Sequence, residues 1–73
     1  MEDLTEKQKF IYEAIKYYIS KYGFSPTIRE LCEIVGLKST GTIHAYLKIL
    51  KRKGYIDYIF NRNRTITIKK WKN

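Results

Sequence analysis

Apolar side chains recur at helical spacing through the first third of the chain. Between Thr5 and Gly23 they form one stripe, which runs through Ile11, Ile15, Tyr18 and Tyr22 and is widened by Phe10, Ala14 and Ile19. Such a stripe is typical of an amphipathic helix. Thr5 and Gln8 have the spacing of a capping box, and glycine is a common residue after a helix end. The pattern predicts a first helix over about 6–22.

A second, shorter helix is predicted after Pro26, because the residue before a proline avoids the helical region. Thr27 and Glu30 form another capping box. One apolar face follows, made of Ile28, Leu31, Cys32 and Val35. Gly36 then ends the element, so the pattern predicts a helix over about 28–35. Cys32 lies in the apolar face, and we interpret it as a small core residue rather than a redox sensor.

A third helix is predicted over about 40–53, with Ser39 as its N-cap and Gly54 after its end. Ile43, Leu47 and Leu50 recur at intervals that point them to one side, and we expect this side to face the core. Gly41 near the start weakens the helix by up to about 1 kcal/mol relative to alanine.

A β-hairpin is predicted over about 55–60 and 65–70, where β-branched and aromatic residues are frequent. The segment 61–64 is expected to form a four-residue turn. Ile56, Tyr58 and Phe60 would share one face, opposite Ile66 and Ile68. Trp71 either belongs to a free end or packs back on the hairpin.

These elements predict one domain, 1–73, of the α+β class and mainly α. Two short helices joined by a tight turn through Gly36 are the helix-turn-helix arrangement, and a hairpin after them makes it winged. The expected fold is therefore a winged helix-turn-helix, with three helices followed by a two-stranded antiparallel wing.

The charge is unevenly distributed. The chain of 73 residues has a net charge of +8, but residues 1–37 contain five basic and six acidic side chains, whereas residues 38–73 contain ten basic and one acidic. A positive field concentrated in one half indicates a polyanionic partner. No apolar run is long enough for a membrane span and the start is acidic, so we expect an intracellular protein without a membrane partner.

Little in the chain suggests an enzyme or a metal site. One cysteine and one histidine cannot form a multi-cysteine zinc site. There is no nucleophile and base at a recognisable spacing, and so short a chain has little room for both a core and a substrate cleft. We expect no catalytic residues, no metal and no cofactor.

The outward face of the third helix is the candidate DNA-reading surface. If Ile43, Leu47 and Leu50 point inward, the outward positions are Thr40, Gly41, His44, Ala45, Lys48 and Arg52. Small side chains let the helix approach base edges, threonine and histidine can form hydrogen bonds there, and alanine can touch a thymine methyl group. Further along the helix the surface becomes basic, which suits phosphate contacts.

At these residues the chain resembles the N-terminal DNA-binding domain of the LexA repressor family, over about residues 4–68. The matching segments are Leu4-Thr5-Glu6-Lys7-Gln8, Ser25-Pro26-Thr27-Ile28-Arg29-Glu30-Leu31, the run from Val35 to Leu47, and Lys53-Gly54-Tyr55-Ile56. The pattern from Ser39 to His44 is most similar to the Gram-positive branch. The resemblance implies a bacterial, cytoplasmic and nucleoid-associated repressor of DNA-damage-response (SOS) genes.

The resemblance also implies site residues and a partner. Base reading is expected of Ser39, Thr40, Gly41, Thr42, His44, Ala45 and Lys48. Phosphate or wing contacts are expected of Ser25, Thr27, Arg29, Lys38, Lys51, Arg52, Lys53, Arg62 and Arg64. The implied partner is double-stranded DNA with an inverted-repeat operator. Since one module covers one half-site, we expect a monomer in solution and a dimer on DNA or through a C-terminal domain.

The chain departs from the family pattern in two ways. Gly41 stands where the family usually has a polar reader, so the operator sequence does not carry over. Full-length LexA also has a self-cleaving C-terminal domain with a Ser/Lys dyad, which we do not expect in a chain ending at Asn73. Either the chain is an excised domain or it is a free-standing regulator, which could be unrelated to DNA damage.

Other interpretations remain open from the sequence. The basic half of the chain also suits a winged-helix module that docks an acidic protein, and RNA binding through the wing is a third hypothesis. His44 is either a groove-facing donor or a plain surface histidine. The cluster 51–53 is either a phosphate-binding group or a solvated helix end. Arg62 and Arg64 either contact DNA or protect a sheet edge.

Overall fold

A computed structural model describes residues 3–69. Three helices, α1 (Glu6–Tyr22), α2 (Ile28–Val35) and α3 (Thr40–Arg52), precede two strands, β1 (Ile56–Asp57) and β2 (Thr67–Ile68). The predicted winged helix-turn-helix is confirmed, and the bounds of α1 and α2 agree with the sequence pattern. Helix α3 ends one residue earlier than predicted. The predicted strand end at residue 70 and the placement of Trp71 lie outside the described residues.

Both predicted capping boxes are present. In α1 the Thr5 hydroxyl accepts a hydrogen bond from the Gln8 backbone amide at 3.2 Å, and the Thr5 amide donates to Gln8 Oε1 at 3.0 Å. In α2 the Thr27 hydroxyl accepts from the Glu30 amide at 3.1 Å, and the Thr27 amide donates to Glu30 Oε1 at 2.9 Å. These bonds satisfy orphan amides at the helix starts, which is why both helices begin where the pattern predicts.

The core lies where the three helices and the wing meet. Fully buried aliphatic side chains come from every helix and from β1: Ile11, Ile15, Leu31, Ile43, Leu47, Leu50 and Ile56. Cys32 is also buried, as predicted, and burial raises the pKa of its thiol. No helix within residues 3–69 is both long and apolar enough to cross a membrane.

The buried face of α1 is rotated from the predicted stripe. Tyr12 is buried, whereas Phe10 and Tyr22 are 57% and 50% exposed. Tyr12 packs edge-on against Tyr55 after α3, with 5.1 Å between ring centroids. This partner follows α3 in the chain, so the spacing within α1 alone does not reveal it.

The wing has fewer paired residues than predicted. The strands are antiparallel, with Ile56 opposite Ile68 and Asp57 opposite Thr67. Ile56, Ile66 and Ile68 are buried, but the expectation that Phe60 shares a face with Ile56 and Tyr58 is wrong, because Phe60 is 64% exposed.

A loop over residues 58–66 replaces the predicted four-residue turn. Thr65 organises it, since its hydroxyl accepts from the Ile59 amide at 3.0 Å and lies 3.3 Å from the carbonyl oxygens of both Ile59 and Arg62. Asn61 and Arg64 have left-handed backbone conformations, with φ of 66° and 57°. The chain therefore leaves the ladder after Asp57, and the alternation of faces stops there.

Candidate nucleic-acid interface

The turn between α2 and α3 sets the direction of the candidate recognition helix. Gly36 follows α2 with a φ of 77°, a conformation that favours glycine. The Leu37 amide donates to the Cys32 carbonyl at 3.0 Å, and the Cys32 thiol lies 3.8 Å from the Ser39 carbonyl. Cys32 of α2 therefore contacts both ends of the turn, which fixes where α3 begins relative to α2.

The buried stripe of α3 leaves its opposite side in solvent. Ile43, Leu47 and Leu50 have no exposed surface, as the spacing predicts. The exposed residues on the outward face are Thr40, Gly41, Ala45, Lys48 and Arg52. With small or polar groups at its start and cations further along, this face can approach a polyanion closely at one end and bind its charges at the other.

His44 has a more constrained place on this face. It is half-buried, and its ring lies edge-on to the Phe60 ring with 5.8 Å between centroids. Its Nδ1 atom is buried and has no hydrogen-bond partner among the described residues. The wing therefore contacts the imidazole through Phe60, and the part of the ring away from the buried Nδ1 is the part that can meet a ligand.

Two other predicted base readers lie at the edges of the face. Ser39 is the N-cap of α3 and is exposed, but its side chain makes no capping hydrogen bond. Thr42 is exposed on another flank, where it lines an apolar groove with Phe10 and Tyr46. The structure therefore does not place Thr42 beside Thr40 and His44.

A cleft of about 540 Å³ separates α3 from the wing. Its walls come from the start of α2, the outward side of α3 and the wing loop, and they include Thr27, Arg29, Thr40, His44, Arg62 and Arg64. The fold thus brings together residues that are far apart in sequence, and it places arginines from α2 and from the wing on the same opening.

Five predicted cationic contacts are unpaired within residues 3–69. The side chains concerned are all exposed and form neither a hydrogen bond nor an ion pair with another described residue: Arg29, Lys38, Lys48, Arg52 and Arg62. Exposed cations without internal partners are free to bind phosphate groups.

Lys51 is instead bound to the wing. Its Nζ lies 3.3 Å from Asp57 Oδ1 and donates to the Tyr58 carbonyl at 3.1 Å. The Tyr58 backbone amide and Lys51 together lower the pKa of Asp57. Lys53 also has internal partners, since its Nζ donates to the Asp3 carbonyl at 2.8 Å and to Gln8 Oε1 at 3.0 Å. Both ammonium groups tie α3 to neighbouring segments.

Arg64, predicted at the wing tip, folds back onto α2. Its Nη2 lies 2.9 Å from Glu30 Oε2, and its Nη1 donates to the Ser25 carbonyl at 3.0 Å. Ser25 is buried, and its hydroxyl accepts from the Ile66 amide while donating to the Pro26 carbonyl. Thr27 is a helix cap, as expected. These groups have structural partners, so DNA contact through them is still only a prediction from the sequence.

Sequence reasoning missed the role of Glu30 beyond the capping box. This carboxylate accepts from Thr27, Tyr18 and Arg64, and its pKa falls from 4.5 to about 2, chiefly because of the Thr27 backbone amide and next because of Arg64. The signal available in the sequence was an acidic side chain next to a surface that was expected to be basic. Residues 3–69 contain no cluster of three or more histidine, cysteine or acidic side chains able to hold a metal ion.

Comparison with known proteins identifies one family. The model of the LexA DNA binding domain matches residues 1–65. A LexA repressor of Desulfatibacillum aliphaticivorans is 51% identical over 70 residues, which are 96% of this chain and 34% of that protein.

Further relatives give the same result. A LexA repressor of Caldicellulosiruptor saccharolyticus is 46% identical over 67 residues, covering 92% of this chain and 33% of the relative. One from Clostridioides difficile is 52% identical over 54 residues, covering 74% and 26%. The chain spans about a third of the length of most of these relatives.

Proposed function

Because the chain belongs to the LexA DNA-binding domain family, we propose that it is the operator-binding module of a bacterial transcriptional repressor. Its partner is double-stranded DNA, which α3 reads from the major groove. The module itself needs no catalytic group for this task. The regulated genes are those of the DNA-damage response, and the place of action is the nucleoid in the cytoplasm.

The rotation of α3 carries this proposal. Ile43 and Leu47 are wholly buried, and a one-residue change in helix rotation would move them toward solvent. The burial of these side chains therefore leaves the small and polar side of α3 as the one that can enter a groove. A helix fits the major groove of B-form DNA, where each base pair presents a distinct set of donors and acceptors.

We assign base reading to the first two turns of this side. The hydroxyls of Ser39 and Thr40 and the accessible part of the His44 ring supply hydrogen bonds. Gly41 and Ala45 have little side chain, so the backbone can come close, and the Ala45 methyl group suits a thymine methyl group. Lys48 stands where the face turns basic, and it can reach either a base edge or a phosphate.

We assign backbone binding to the unpaired cations around this surface. Arg29 and Arg62 border the cleft from opposite walls, while Lys38 precedes α3 and Arg52 lies near its end. Such contacts supply affinity and register without sequence information. Lys51, Lys53, Arg64 and Ser25 are assigned to support of the fold, because each has a partner within the protein.

One module of this size covers one half-site, so an inverted-repeat operator needs two modules about one helical turn, or a multiple, apart. We propose that the isolated chain is a monomer in solution and that two copies meet on the operator. In a longer protein, a C-terminal domain would supply the dimer contact.

Selection of bound duplexes from a random-sequence pool tests the proposal. We expect a palindromic consensus, and we expect the selected duplex to compete better than random DNA at moderate salt. If the selection enriches no consensus sequence, the proposal of operator binding is overturned. Equal competition by a heparin-like polyanion would favour the docking of an acidic protein, and sedimentation showing a stable micromolar dimer would overturn the monomer.

A further inference from the structure

We propose that Glu30 and Arg64 form a clasp that positions the wing against α2 and α3, and that this clasp sets DNA specificity without itself binding DNA. The inference rests on the proposed operator binding and adds two positioning residues to it. The clasp consists of the paired side chains of Glu30 and Arg64 together with the Ser25 carbonyl that Arg64 also binds.

The geometry of the clasp is that of a two-point ion pair. Arg64 Nη2 lies 2.9 Å from Glu30 Oε2, and Arg64 Nη1 lies 3.1 Å from Glu30 Oε1. Nη1 also donates to the Ser25 carbonyl at 3.0 Å, and the guanidinium carbon lies 4.9 Å from the centre of the Phe24 ring. A guanidinium held on two parallel bonds and against a ring has a defined orientation as well as a favourable charge.

A buried hydrogen bond also joins the wing loop to the segment before α2. The Ile66 backbone amide, two residues along the chain from Arg64, donates to the Ser25 hydroxyl at 3.1 Å. Ser25 is 6% exposed and Ile66 is 5% exposed. The returning side of the wing loop is therefore joined to the segment before α2 by a side chain near the surface and by a backbone amide inside.

Glu30 links this junction to the recognition unit. Its Oε1 accepts from the Thr27 amide that begins α2, and it also accepts from the Tyr18 hydroxyl of α1 at 2.9 Å. The same carboxylate thus caps α2, holds the wing and contacts α1. Since α2 and the turn orient α3, the clasp fixes the position of the wing loop relative to the helix that reads bases.

The position of Arg64 distinguishes a positioning role from a phosphate contact. Arg64 lines the cleft beside Arg29 and Arg62. Both of its Nη atoms donate to protein acceptors, whereas the Arg62 side chain has no partner among the described residues. Simple electrostatics predicts that removing the negative charge of Glu30 strengthens the binding of DNA. The clasp predicts the opposite sign for the operator.

Glu30→Gln is the decisive variant, because glutamine at this helix position can keep the capping box while the charged pair with Arg64 is lost. Binding is measured to the selected operator and to a random duplex of equal length, at several salt concentrations. We expect operator affinity to fall about fivefold or more, the lower end of the usual range for coupled sites. Random DNA should be bound as tightly as by the parent, or more tightly.

Four further variants separate the possible roles of the arginine. For Arg64→Met, the clasp predicts a loss on the operator with an unchanged salt slope, whereas Arg62→Met, the matched control, should lower the slope by about one unit. Arg64→Lys should not restore binding, because lysine cannot form the two-point pair. The double variant Glu30→Gln/Arg64→Met should lose no more than one single variant.

A structural measurement guards against general loss of folding. In backbone NMR spectra of Glu30→Gln, we expect shifts in the amides of 58–66 and unchanged amides through the core of α3. Three results would each overturn the clasp. They are unaltered operator affinity in Glu30→Gln, parental operator affinity in Arg64→Lys, and additive losses of operator affinity in the double variant. A parent chain that does not prefer its selected duplex would instead overturn operator binding itself.

Discussion

The imidazole of His44 on α3 meets the ring of Phe60 in the wing edge-on, with 62° between the ring planes. Phe60 is otherwise largely exposed, so this contact joins an exposed side chain of the wing to α3. An exposed aromatic ring that touches a candidate base reader restricts the orientation of that reader. The arrangement couples the wing to the first half of α3, where base reading is proposed.

Replacing His44 by alanine is expected to weaken operator binding by about 1–3 kcal/mol, the usual contribution of a good base contact. Random DNA should be affected much less, because it offers no matched base edge. Competition assays with the selected and random duplexes measure the two losses. Phe60→Leu tests whether the Phe60 ring orients His44. It should weaken operator binding by less than His44→Ala does, and it should likewise affect the operator more than random DNA. Equal losses on both duplexes would remove His44 as a base reader.

Lys48 and Lys53 form a matched pair for the phosphate term. Lys48 is exposed and has no partner within residues 3–69, whereas Lys53 Nζ binds the Asp3 carbonyl and Gln8. We expect Lys48→Ala to reduce the slope of log affinity against log salt by about 0.9, the value for one released counterion. Lys53→Ala should leave the slope near that of the parent. Identical slopes for the two variants would show that internal pairing does not decide which lysines bind DNA.

Gly41→Ala is expected to change stability and DNA binding in opposite directions. A β-carbon at this position would lie 3.5 Å from the Ser39 hydroxyl oxygen, an ordinary contact, and α3 has a helical backbone here. Alanine should therefore raise the free energy of unfolding by up to about 1 kcal/mol. The added methyl group would stand between α3 and the bases, so operator affinity should fall. Urea denaturation and duplex titration give the two quantities, and unchanged affinity would argue against close approach at Gly41.

The low pKa of Glu30 predicts an acid-sensitive contribution to stability. Because the Thr27 amide and then Arg64 hold this pKa at about 2 instead of 4.5, the folded state binds the proton less readily than the unfolded state. The contribution is complete above pH 4.5 and is lost as the pH falls toward 2. Denaturation midpoints of the parent and Glu30→Gln should therefore differ at pH 6 and converge near pH 2. A constant difference across this range would contradict the shift.

Leu47 is the test of the buried side of α3. It has no exposed surface, so Leu47→Ala should cost about 2–5 kcal/mol of unfolding free energy through lost burial and a cavity. Ile34→Ala on α2 is the control, since Ile34 is 44% exposed and should cost less. Equilibrium unfolding in urea measures both. Similar losses in the two variants would mean that the packing around Leu47 relaxes to fill the space.

Much of the fold and part of the site follow from local pattern. The capping boxes at Thr5 and Thr27 fix helix starts through bonds that span only three residues, and the stripe through Ile43 fixes which side of α3 is buried. Local spacing therefore predicted the three helices and the outward face. The capping bonds and the periodicity act within one element, which is why sequence alone reveals them.

What the pattern could not supply is the set of partners that come from elsewhere in the chain. Arg64 was expected at the wing tip, but Glu30, 34 residues earlier, binds it. Lys51 pairs with the Asp57 carboxylate and Lys53 binds the Asp3 backbone carbonyl, so only some of the basic side chains within residues 3–69 remain free. Burial of Tyr12 and exposure of Phe60 likewise depend on which elements meet. Hydrophobic periodicity and the charge distribution were enough to predict the helices and the basic surface. Only the tertiary structure shows which cations are left unpaired and available for DNA, because an ion pair or hydrogen bond depends on distance in space and not on spacing along the chain.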